Sequence, residues 1–162
     1  MSDTARVWGT HTKMWAVPRT MFNALIYDYL NEPELAHAAY EAALKVLEKR
    51  VSEVPADPRY HSALGIAYAG LGRKQEAIRE GLKAVELLPV SMDAVYGVGH
   101  VQDLALIYTM SGEYEQALKQ LEQLLSFPSW ISAVWLEWDI RFKKLRPLPG
   151  FKKLLIRYPV EE

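Results

Sequence analysis

The chain has 162 residues, half of them apolar and 24% charged, with a formal charge of −1. That balance excludes disorder as the main state, and a pI near 6.4 argues against wholesale electrostatic binding of nucleic acid. Cysteine is absent, which excludes disulfides, thiolate metal sites and cysteine nucleophiles.

The first fifteen residues, MSDTARVWGTHTKMW, lack a basic region followed by an apolar core, so no secretory signal is expected. No window approaches 18 uncharged apolar residues, so no membrane-spanning helix is expected either. The expectation is a cytoplasmic chain with no membrane partner. From there on, apolar residues recur at helical spacing. Ala24 and Tyr27 lie on a first helix that must close near Asn31. A second amphipathic stretch runs from Pro33 to about Val51, carries Ala36, Tyr40 and Ala43, and stops before Pro55. The pattern returns with Leu64, Gly65 and Tyr68, closes at Gly72, and resumes from Lys74 to Leu88 with Ala77 and Ala84 ahead of Pro89. It returns again with Leu104, Ala105 and Tyr108, closes at Gly112, and resumes from Glu113 to Leu125 with Ala117 and Leu124 ahead of Pro128. Counted from Ala24, Gly65 and Ala105, the offsets 3, 7, 12 and 19 occur in all three copies, and the copies are 41 and 40 residues apart.

Each offset has a physical reason. Gly and Asn tolerate the left-handed backbone that ends a helix, and Pro stops the next one. The small residues at offset 12 suit a place where two antiparallel helices approach closely. The unit is a helical hairpin, and three of them stack. This resembles the tetratricopeptide repeat, with copies at about 17–50, 58–91 and 98–131. In the second copy Leu64, Gly65, Tyr68, Ala77, Ala84 and Pro89 match; His61 stands for the usual Trp and Gly81 for the usual aromatic. The stretches 59–94 and 121–155 are further similar to the C-terminal repeat region of bacterial regulators that carry cyclase-like, kinase, winged-helix or TolB-like modules. In the tail, Leu136, Asp139, Phe142, Leu145, Arg146, Pro149, Phe151, Leu154 and Leu155 fit their pattern; Ile140 and Gly150 depart from it. The expected fold is all-α, a TPR-like α-α superhelix of three hairpins with a C-terminal helical cap, in a single domain over 1–162.

The cap is expected over about 129–158, because a stack of hairpins leaves its last helix with an uncovered apolar face. Leu118, Leu121, Leu124 and Leu125 form that face. Trp130, Ile131, Val134, Trp135, Trp138, Phe142, Leu145, Phe151 and Leu154 are expected to cover it. A helix from about Ser132 to Trp138 and another from Pro149 to Tyr158 are predicted, with Ser132 and Pro149 suited to helix starts. A ligand box is the alternative use of the aromatics. Residues 141–157 hold seven basic side chains and no acid. A solvated face of the cap accounts for them; the sharper alternative is a patch that faces an acidic partner or a phosphate, and nucleic acid is disfavoured because no aromatic interleaving suits base stacking.

Nothing in the chain reads as chemistry. His11, His37, His61 and His100 are not at metal-ligand spacing. Ala69–Gly72 is a helix-end turn rather than a phosphate loop. The close pairs Glu32 with Glu34 and Glu113 with Glu115 sit at helix starts, where the helix dipole explains them. No catalytic residue, metal or cofactor is expected.

The resemblance implies a protein or peptide partner bound on the concave face by the first helix of each hairpin. The residues placed there are Met21, Leu25 and Asp28; Arg59 and Ile66; and Gln102, Leu106 and Met110. Leu25, Ile66, Leu106 and Met110 are expected to form one apolar strip, with Asp28, Arg59 and Gln102 setting a peptide's direction. The Lys and Asn of a carboxylate clamp are missing, since Ser62, Ile66, Gln102 and Leu106 occupy those positions. Two alternatives stay open: the Trp8–Trp15 segment folds back into the groove, or the chain is a self-association module.

Overall fold

A computed structural model describes residues 17–159. Among the described residues all regular structure is helical. The helices are α1 (Arg19–Leu30), α2 (Pro33–Glu53), α3 (Pro58–Gly70), α4 (Lys74–Leu87), α5 (Tyr96–Met110), α6 (Tyr114–Leu125), α7 (Ala133–Trp138) and α8 (Pro149–Arg157). A 3-10 turn, Ile140–Phe142, separates α7 from α8. The helices α1 and α2, α3 and α4, and α5 and α6 pair as hairpins. Within the stack, α3 packs on α2, and α5 packs on both α3 and α4.

Local chemistry sets the ends of these helices. Asn31, Gly72 and Gly112 close the first helix of each hairpin with φ of 60°, 72° and 77°, the left-handed region the sequence pattern requires. Asp57 caps α3 by accepting the Arg59 amide at 3.0 Å, with Pro58 in the first turn. Asp93 prepares α5 in the same way, accepting the Val95 and Tyr96 amides at 2.9 and 2.8 Å. Ser132 accepts the Trp135 amide at 3.2 Å to start α7, and Pro149 opens α8.

The hairpins close on small residues. Ala36, Ala77 and Ala117 are all but fully buried. Two glycines allow α5 to approach α3 and α4 closely. A Cβ on Gly65 would sit 2.6 Å from Ile107 Cδ1 and 2.9 Å from the Ala77 carbonyl, and one on Gly81 would sit 2.8 Å from the same Ile107 atom. Gly81 therefore replaces the repeat's usual aromatic because α5 drives Ile107 into that space. His61, in the place of the usual Trp, is held by Glu80 through Nδ1 at 2.7 Å and by the Pro55 carbonyl through Nε2 at 2.9 Å.

The tail folds over the last hairpin, with α8 against α6 and α7 against α8. Leu136, Phe142, Leu145 and Phe151 are fully or almost fully buried. Trp130, Val134 and Trp138 depart from the expected cap. They are 51%, 49% and 78% exposed. For Val134 and Trp138 the reason is geometric: α7 has six residues, so only one of its faces meets the core, and Ala133 and Leu136 use it, while Trp130 precedes the helix. Trp135 is half-buried and meets the Trp130 ring edge to face at 5.6 Å.

Enlarging Ala77 or Ala117 to Leu is expected to overpack the hairpin crossing and cost about 1–3 kcal/mol, measured by thermal or urea unfolding. Phe151→Ala is expected to cost about 3–5 kcal/mol, because the ring is 1% exposed in the cap. The matching control is Trp138→Ala, expected to leave stability within about 0.5 kcal/mol.

Candidate partner-binding groove

The first helices of the first and third hairpins supply the groove, with the C-terminal segment; α3 adds no lining residue. The Asn31 turn leaves Leu25, Asp28 and Tyr29 on the last two turns of α1. From α5 come Leu106, Thr109 and Met110. The C-terminal segment adds Ile140, Arg141, Lys143 and Lys144. With Asn31 these eleven residues line one pocket of about 340 Å³, at the lower end of the roughly 300–1,000 Å³ range of small-ligand sites. It is large enough for anchoring side chains of a peptide and far too small for a folded partner.

Four of the sequence-predicted residues meet here: Leu25, Asp28, Leu106 and Met110. The other four lie outside this lining. Met21 is 2% exposed and belongs to the core. Gln102 is 3% exposed, and its Nε2 has no hydrogen-bond partner. Ile66 is 9% exposed, inside a helix buried from His61 to Ala69. Arg59 is exposed, but its guanidinium is committed to Asp57 through hydrogen bonds of 2.9, 3.2 and 2.6 Å. The expected continuous strip is thus not one open surface. Ile66 and Leu106 are covered, and the open apolar contribution comes from Leu25 and Met110, both half-buried. The Trp8–Trp15 segment lies outside the described residues.

Polar groups frame the pocket. Asp28 accepts a hydrogen bond from the Tyr40 hydroxyl at 2.8 Å, tying α1 to α2. Burial raises the Tyr40 phenol pKa far above its ordinary value, and the Asp28 carboxylate adds to the effect. Burial also pushes Tyr29 up to about 12, with Arg141 pulling the other way. Arg141 forks onto Asp139 at 3.0, 3.0 and 2.6 Å and lies 5.3 Å from the Trp135 ring centroid. Burial opposes its charge, but the bonds to Asp139 outweigh that and hold its pKa above the ordinary value. Lys143 Nζ lies 5.9 Å from the Tyr29 ring. The tail is therefore a wall of the pocket as well as a cap, a role that sequence reasoning missed. A signal was visible: the pair Asp139 and Arg141 repeats the spacing of Asp57 and Arg59 at the start of α3.

No group of three or more His, Asp or Glu among the described residues could hold a metal ion. Among them, too, no helix is long and apolar enough to cross a membrane.

Comparison with known proteins agrees with this architecture. Residues 23–91, the span of α1 to α4, match the family model described as Tetratricopeptide repeat. The chain is also 37% identical over 82 residues to the TPR repeat-containing thioredoxin TTL4 of Arabidopsis thaliana, across 51% of this chain and 11% of that protein's length. The fold is an all-helical, TPR-like α-α superhelix, a class of repeat that mediates protein–protein interaction.

Leu106→Asp is expected to destabilise the protein by on the order of 3 kcal/mol or more, since it places a charge in a nearly closed site. Thermal melting checks this. An unchanged melting temperature would mean that Leu106 faces water.

Proposed function

We propose that the whole chain is a tetratricopeptide repeat module that docks a segment of a partner protein in the pocket between α1, α5 and the C-terminal segment. Leu25 and Met110 are the open apolar contacts, Leu106 is the floor beneath them, and Asp28 is a polar rim group. The carrying observation is the pocket itself, where helices from the first and third hairpins converge on a half-open apolar floor with charged residues around it. Exposed apolar floors of this kind are what partner segments bury, and a few anchors contribute most of the affinity. Met110 adds an adaptable contact. The resemblance of residues 59–94 and 121–155 to the repeat regions of bacterial regulators supports a docking role within regulation. The chain works as a non-catalytic module in this reading. Met21, Ile66 and Gln102 act beneath the surface by holding the groove helices in place, and Arg59 acts at the start of α3.

The test is selection of a displayed random-peptide library against the purified chain, followed by anisotropy with the selected peptides. Leu25→Ala combined with Met110→Ala is expected to weaken binding at least about tenfold, or about 1.4 kcal/mol. The double variant should still unfold cooperatively. Selected peptides indifferent to both substitutions would move the binding surface off the groove.

A further inference from the structure

The basic tail and the apolar groove are distant in sequence and meet in one pocket. Residues 141–157 carry seven basic side chains and no acid. Four of them, Arg146, Lys152, Lys153 and Arg157, are exposed away from the pocket. Arg141, Lys143 and Lys144 stand on the pocket lining with Leu25, Leu106 and Met110.

The charges around the pocket are not equally available. Arg141 is neutralised by Asp139 at 2.6 Å. Farther along the tail, Arg157 pairs with Glu122. Lys143 and Lys144 are exposed and make no ion pair among the described residues, and Lys143 rests only on the face of Tyr29. Asp28, next to Tyr29 on α1, also lines the pocket, and its carboxylate accepts the Tyr40 hydroxyl. The pocket therefore has an apolar floor, two uncompensated ammonium groups on the tail side and one carboxylate on the α1 side.

Resting on the docking function above, we propose that the partner segment is acidic: an apolar anchor flanked by Asp or Glu side chains that face Lys143 and Lys144. Two uncompensated ammonium groups each attract a partner carboxylate placed against them, so an acidic flank gains where a neutral one does not. A basic flank meets like charge on the tail side, which supplies rejection as well as attraction. Asp28 is the one carboxylate of the lining, and it disfavours a partner carboxylate that comes against α1 itself. Lys143 and Lys144 are thus specificity-determining residues, and the apolar floor supplies the common affinity.

The experiment uses the displayed random-peptide library on the full chain and on K143E/K144E. Against the wild type, selected peptides are expected to be enriched in Asp and Glu on one side of an apolar residue. A fluorescein-labelled selected peptide should bind K143E/K144E at least about tenfold more weakly, with the melting temperature unchanged because both side chains are exposed. Raising the salt concentration should weaken the wild-type complex and leave the weak K143E/K144E complex little affected. K143E/K144E should itself select peptides with Lys or Arg flanks. Peptides that lose affinity with the Leu25 and Met110 substitutions, but show no acidic enrichment and no response to K143E/K144E, would overturn the acidic-partner inference and leave groove docking intact. Peptides indifferent to all four positions, or no binders at all, would overturn both.

Discussion

Between α3, α4 and α5 there is room for hydrogen and nothing larger at two positions. Ile107 of α5 fills the space against Gly65 and Gly81, and Ala77 lies fully buried beside them. Everything else about the stack follows from that contact. It brings three helix axes close enough to bury α3 on all sides from His61 to Ala69. Burial on this scale forces polar groups to find partners inside the protein. Ser62 meets His100 across the α3–α5 boundary at 2.8 Å, and His61 meets Glu80 across the α3–α4 boundary. Apolar contact sets the spacing of the hairpins, and these directional bonds set their register.

The tail answers a problem that any open stack has, an apolar face on its last helix. Leu121 and Leu124 are fully buried, and Phe151 and Leu154 of α8 lie in the same core. The segment between α7 and α8 does something further. Phe142 and Leu145 are buried while the residues between and before them reach the groove, so one short stretch is anchored on one side and available on the other. The Asp139–Arg141 fork and the Trp135 ring beneath Arg141 hold its conformation. A binding wall built on such an anchored turn is pre-organised, which lowers the ordering cost of taking up a flexible partner segment.

Exposed apolar residues on and just before α7 show the limits of pattern reading. Trp130, ahead of the helix, and Val134 and Trp138, on it, have the composition of a core and the exposure of a surface. Composition alone does not say which face of a six-residue helix the core will claim. The same limit applies to the groove. Leu106 and Ile66 were placed on the binding face by their position in the repeat, and both are buried in the core. Leu25, in the middle of α1, and Met110, the last residue of α5, stay half-open.

What the sequence determined by itself was the set of features that depend on local geometry. Helix ends are set by the backbone preferences of Asn31, Gly72, Gly112 and the prolines, and hairpin crossings by the size of Ala36, Ala77 and Ala117. Both kinds of constraint act within about twenty residues and leave a periodic trace. The tertiary structure alone decided which apolar side chains stay exposed, and that the basic tail returns to stand beside α1. Those outcomes depend on which elements meet at one pocket, where Leu25, Leu106 and Lys143, far apart in the chain, all stand on the lining. No spacing rule links them, because the path between them runs through the angles at which three hairpins pack.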